Sequence, residues 1–191
     1  MKSLRLMMLI APLALSGCST LSNVHWSNMA PWNWFGSSMT VSEKGVGNIT
    51  ASTPMTQEAM EDAIGSDYRL RSGMKMANGS VVRYFEALKD NQLALVIEGD
   101  KGQLSRVVVL DKGIPTDSGV TLGTPFHTLY SKAFGACEQA SGDNSGMVAC
   151  KAPDSQHITY LFSGQWRGPE GLLPSDDTLK DWTLNKIVWQ R

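Results

Sequence analysis

Histidine and cysteine are scarce in this sequence, three of each in 191 residues, and the scarcity removes several chemistries at once. His25, His127 and His157 lie far apart and form no His-Glu-x-x-His pair. A zinc site takes about four closely spaced nitrogen or sulfur ligands, and no such set is present. There is no phosphate-binding glycine loop and no Gly-x-Ser-x-Gly elbow. An excess of either charge is missing too: 17 basic residues stand against 18 acidic ones. Nucleic-acid binding proteins carry a basic footprint that this chain lacks. No apolar run approaches the roughly 20 residues of a membrane-spanning helix. The sequence therefore calls for no cofactor, no metal and no nucleic acid.

Two motifs come close to catalytic signatures. "SGMK" (Ser72 to Lys75) has the Ser-x-x-Lys spacing of penicillin-recognising enzymes. That chemistry needs the serine at a helix start, whereas these residues sit in a stretch of strand-like alternation. "GDNSG" (142–146) has the look of a damaged trypsin-type serine signature, but its composition is that of a turn and no triad surrounds it. Catalytic residues are not assigned.

The chain opens "MKSLRLMMLIAPLALSGC". Lys2 and Arg5 form a basic start, and the apolar run from Leu6 to Leu15 has the length of a secretory signal. "LSGC" (Leu15 to Cys18) resembles a bacterial lipobox, which implies cleavage before Cys18 and acylation of that cysteine. Resemblance to enterobacterial lipoproteins, in which Asp after the cysteine implies inner-membrane retention, implies that Ser19 sends the protein to the outer membrane. The expected organisation is a signal peptide over 1–17, a lipidated tether over 18–44 and a periplasmic domain over 45–191. Losing Lys2 and Arg5 leaves fifteen basic residues against eighteen acids, a net charge of −3.

Such a destination is oxidising, and it decides how the remaining cysteines are read. Cys137 and Cys150 flank the turn-forming cluster "SGDNSG" symmetrically. If the cluster turns a hairpin, the two cysteines face each other at a spacing within the disulfide range. A cross-strand disulfide is expected. The tether is unusual in carrying Trp26, Trp32, Trp34 and Phe35. These aromatics suit either the membrane interface or packing against the folded domain.

The domain reads as α+β: antiparallel sheets with two amphipathic helices. Thr53-Pro54 opens a helix that Gly65 closes, with Ala59, Met60, Ala63 and Ile64 on one side. Four strands follow at 68–76, 81–88, 93–98 and 104–110, joined by tight turns such as Asn78-Gly79 and Asp90-Asn91. Thr124-Pro125 opens the second helix, with Phe126, Leu129, Tyr130, Ala133 and Phe134 at helical spacing up to Gly135. Strands holding Cys137 and Cys150, then 157–162 and 184–189, complete the chain. The parallel order suggests two helix-plus-four-strand pseudo-repeats, 45–110 and 119–191.

The segment "FSGQWRGPEGLLPSDDTLKDW" (162–182) is long for a connection between strands. It reads either as a Ser175-capped helix start or as a partner-binding loop with Trp166, Leu172 and Leu173 as apolar anchors.

The stretches "LSGC", "LGTPFHTLYSKAFGAC", "VACKAPDSQHITYLFSGQWRGPEGLLPSDD" and "LKDWTLNKIVWQR" resemble the RpoE-regulated lipoprotein family of enteric bacteria, a domain family of unknown function. The resemblance covers essentially the whole chain. It implies an envelope protein linked to extracytoplasmic stress, and it transfers no catalytic or binding residue. Two function classes follow. The first is an outer-membrane-anchored, non-catalytic binding or adaptor module whose partner is an envelope protein or cell-wall material. The alternative is a hydrolase of cell wall or lipid.

Overall fold

The computed structural model describes residues 39–77, 79–169 and 171–191. Cys18, His25 and the tether aromatics Trp26, Trp32, Trp34 and Phe35 lie outside these residues. Three two-residue strands come first: β1 (Val41–Ser42), β2 (Gly45–Val46) and β3 (Ile49–Thr50). They form a small sheet of their own in the order β1-β2-β3. Val41, Val46 and Ile49 are fully buried, and the Val41 N–H donates to the Pro115 carbonyl at 2.9 Å. Residues 41–44, assigned from sequence to the tether, thus belong to the folded body.

Helix α1 (Gln57–Ile64) is next. It starts later than Thr53-Pro54 suggested, because Thr56 takes the cap position and its hydroxyl accepts the Ala59 N–H at 3.3 Å. The expected face is the buried one: Met60 and Ile64 are in the core and Ala59 and Ala63 are half-buried.

The main sheet has eight strands: β4 (Arg69–Ala77), β5 (Ser80–Lys89), β6 (Gln92–Asp100), β7 (Gln103–Val109), β8 (Cys137–Gln139), β9 (Val148–Lys151), β10 (Ile158–Ser163) and β11 (Thr183–Gln190). Their order is β4-β5-β6-β7-β11-β10-β9-β8. The four-strand meander expected for the first half is present. At its β5–β6 turn, Asp90 and Asn91 have φ of 51° and 62°, the left-handed pair that closes a two-residue hairpin and that Asp and Asn tolerate best. The second half adds four strands to the same sheet through the antiparallel pairing of β7 with β11.

Alternate residues sort onto the two faces of this sheet. One face carries the core: Phe85, Leu95, Ile97, Val107, Phe162, Ile187 and Trp189 all meet there, under α1 and the connecting segments. The opposite face has a smaller buried cluster of Val108, Leu161 and Val188. The small β1–β3 sheet is tied to the main one where the Trp189 indole N–H donates to the Glu43 carbonyl at 3.2 Å.

The second helix is shorter than its periodicity predicts. Helix α2 is the single turn Phe126–Leu129, and Tyr130 is already extended at φ −134°, ψ 132°. Phe126 and Tyr130 still reach the core, where their rings and that of Phe162 pack at centroid distances of 5.2 to 5.9 Å. Tyr130 gains its own anchor, donating its hydroxyl to the Lys151 carbonyl at 2.6 Å. The Ala133 N–H, which a continuing helix would have satisfied, instead donates to the Asp176 carboxylate at 2.7 Å. Phe134, placed by helical spacing on the buried side, is exposed.

Candidate functional site

Cys137 and Cys150 are direct partners in the β8–β9 pairing and are joined by a disulfide. The cluster between them turns through a short 3-10 helix (Gly142–Asn144). Asn144 is fixed there by the Lys186 ammonium, which donates to its side-chain oxygen at 2.8 Å. The staple closes the outer edge of the second half of the sheet.

The 164–175 segment leads from β10 to helix α3 (Asp176–Leu179). Trp166 lies over Gly168, where a Cβ would come within 2.0 Å of the indole ring, so a side chain at 168 would push the indole from this position. The indole N–H donates to the Pro169 carbonyl at 3.4 Å. The ring is 36 % exposed and Leu172 is 58 % exposed. Leu173 differs from its neighbour: it is half-buried against the core. Of the three proposed anchors, two face solvent and the third secures the segment. Ser175 occupies the cap position of α3, but its hydroxyl meets the Thr178 hydroxyl at 3.1 Å rather than a backbone N–H. A short helix thus follows a loop with two exposed apolar side chains.

The near-catalytic motifs have structural roles. Lys75 of "SGMK" is in strand β4 and pairs with Glu98 at 2.6 Å. His127 and His157 each engage a backbone carbonyl through Nδ1, of Lys180 at 2.7 Å and of Gln190 at 2.8 Å.

One polar constellation was not legible in the sequence. Glu43, Ser155 and His157 come together across more than a hundred residues, and Glu43 and Ser155 line a cleft of about 240 Å³ with Thr116, Asp117, Ser118, Asp154 and Tyr160. The set of residue types is that of a hydrolase triad, but the connections are not. The Ser155 hydroxyl is bonded to the Glu43 carboxylate. It also accepts the N–H groups of His157 at 3.2 Å and Ile158 at 2.9 Å. His157 directs Nδ1 to the Gln190 carbonyl and stacks on Trp189 at 5.9 Å. A nucleophilic serine needs the imidazole as its proton acceptor, and here Ser155 is already committed to a carboxylate. Hydrogen bonding from Ser155 holds the Glu43 carboxyl below its ordinary range, with smaller contributions from the Gln156 N–H and His157, against a raising effect of burial. Tyr160 is shifted up by burial, opposed by hydrogen bonds to Thr116 and Ser118. The cluster is a latch between the β1–β2 turn and the β9–β10 turn. Nothing in local sequence announces it, because its parts meet only after the small sheet docks.

Among the described residues no group of three or more His, Cys, Asp or Glu side chains is placed to hold a metal ion. No helix among them is long and apolar enough to cross a membrane.

Residues 23–191 match the family model described as "Protein of unknown function (DUF1131)". The chain is 63 % identical to the "Uncharacterized protein YfeY" of Escherichia coli (strain K12), over the whole of both chains. It is also similar to the crystal structure of the uncharacterized protein yfeY from Escherichia coli, with 60 % identity and a TM-score of 0.72 over 80 % of this chain and 99 % of that one. With this match along nearly its entire length, the chain belongs to the DUF1131 family.

Proposed function

We propose that this protein is a lipid-anchored envelope lipoprotein that works as a non-catalytic binding module. The anchor is Cys18, acylated after removal of residues 1–17, with Ser19 directing the protein to the outer membrane and the domain facing the periplasm. The two halves of the sheet are read as a pseudo-repeat, a reading supported by the four antiparallel strands that each half contributes. A link to envelope stress rests on the family resemblance.

The observation that carries the binding role is the 164–175 segment. It keeps Trp166 and Leu172 in solvent while Leu173 and Pro174 are tucked down beside them. An aromatic and an aliphatic anchor on a supported loop are the elements of an interface hot spot. The contact partner is an envelope protein or cell-wall material. Chemical cross-linking in intact cells tests this. The double variant Trp166→Ala/Leu172→Ser is expected to lose its adducts while keeping the parental Tm. A variant that unfolds would instead place those side chains in the core. The anchor has its own test, the mass of the mature N-terminus. Acylated Cys18 is expected, and an unmodified terminus at any other residue would remove the lipoprotein reading. Ser19→Asp is expected to move the protein toward the inner-membrane fraction.

A further inference from the structure

We infer that the free edge of the main sheet, strand β4, docks an extended acidic polypeptide segment by strand addition. β4 is an outermost strand of the eight, and among the described residues no strand pairs with its outer side. It is nine residues long. With no partner strand among the described residues, an edge of that length presents a row of backbone N–H and C=O groups that is a template for another strand. The other edge, β8, has only three residues and is stapled by the disulfide.

The end of this edge also reaches past its own sheet. β5 pairs with β6 only from Tyr84 onward, whereas it pairs with β4 from Ser80 to Leu88. Residues 74–77 and 80–83 therefore form a two-stranded ribbon. On it Met74, Met76 and Val81 are 72 %, 68 % and 64 % exposed. All three lie on the face that continues into the core, since Met74 is opposite Arg83 and Met76 opposite Val81. A strand added to β4 would lay its own apolar residues beside these methionines, which adapt readily to varied side chains.

Gly73 marks the middle of the edge. The Tyr84 ring lies across it from the neighbouring strand, so close that a Cβ at 73 would sit 2.5 Å from the ring. A glycine within a strand commonly marks close approach by another backbone. Here it lets the ring reach the outer strand, where an added chain would meet it.

Charge selects the occupant. β4 carries Arg69, Arg71 and Lys75 and no acid. The three alternate along one face, opposite to that of Met74 and Met76. Arg69 donates to Asn91 at 3.1 Å and Lys75 is paired with Glu98. Arg71 is exposed, with Glu86 as its cross-strand neighbour. A second copy paired antiparallel about Gly73 would set Arg71 against Lys75, and like charges directly opposite destabilise a strand pair. A segment alternating acidic and apolar residues meets Arg71 and Lys75 on one face and the methionines on the other. This contact is separate from the 164–175 loop, and either can fail without the other.

Hydrogen–deuterium exchange on the full-length chain tests the inference, with a nine-residue synthetic peptide alternating Glu and Val as probe and its Lys-Val counterpart as control. The Glu-Val peptide is expected to slow exchange across residues 69–77, and the Lys-Val peptide is not. Arg71→Glu is expected to weaken the Glu-Val effect about fivefold and to admit the Lys-Val peptide. Lys132→Glu, an exposed residue away from the edge, makes the same charge change and should leave the preference intact. Equal protection by both peptides, protection only outside 69–77, no protection by either, or a peptide-free dimer that protects β4 would overturn the inference.

Discussion

The two edges of the main sheet are built on opposite plans. The β8 edge is short and covalently joined to its neighbour, and its turn is fixed by Lys186. It lies beyond a layer in which Phe126, Tyr130 and Phe162 pack ring against ring. The β4 edge is three times as long, ends in a ribbon that no third strand joins among the described residues, and leaves two methionines and a valine in solvent. Both halves contribute four strands to one core, so the difference is not a matter of fold class. It lies in how much of each half's periphery is sealed. Sheet edges are ordinarily shortened, charged or covered. The second half uses shortening and a staple, and the first relies on charge alone.

Substitutions on the two sides of the sheet probe that contrast. The largest effect is expected for Phe162→Ala, which empties the centre of the aromatic layer. It should lower stability by about 3–5 kcal/mol in urea denaturation, whereas Met74→Ala on the ribbon should change it by no more than about 0.5 kcal/mol. Removing the staple with Cys137→Ala/Cys150→Ala should cost about 3 kcal/mol by the loop-entropy account, read from the same denaturation curves, and native protein should show neither thiol free to labelling. Asp176→Ala leaves the Ala133 N–H without its acceptor and should cost about 1–3 kcal/mol. Asp176→Asn, which keeps an acceptor oxygen, should recover most of the loss in urea denaturation. The smallest effect concerns the Glu43 latch. Its carboxyl titrates lower in the folded state than its ordinary 4.5. The stability it adds is therefore present above that ordinary value and is lost as pH falls through the depressed one. Glu43→Gln should flatten this slight acid dependence of the urea midpoint by removing the small contribution at neutral pH while leaving the midpoint at acid pH unchanged.

The first half was the more legible in sequence, for a physical reason. Its strands are long, alternate cleanly and are joined by two-residue turns whose Asp-Asn and Lys-Gly pairs accept left-handed backbone, so each element is specified locally. The hairpin holding Cys137 and Cys150 was readable in the same way. The second helix is shorter than its periodicity implies because Phe126, Tyr130 and Ala133 are buried in extended as well as helical geometry. The carboxylate of Asp176, distant in sequence, supplies the acceptor that lets the backbone leave the helix. The β1–β3 sheet leaves no mark in the sequence because two-residue strands have no measurable period, and their burial depends on Pro115 and Trp189 far along the chain. Among the candidate site residues, Trp166 and Leu172 are exposed as the binding-loop reading requires. Leu173 could not be told from its neighbour by sequence, because two adjacent leucines carry no indication of which one turns inward.

The binding role is tested most directly by photo-cross-linking in intact cells, with the probe placed in turn at Leu172 and at Glu138, an exposed residue of the stapled edge. Discrete adducts are expected from position 172, vanishing when Trp166 is also replaced by Ala, and none from position 138. Adducts of equal yield from both positions, or none from 172, would contradict it.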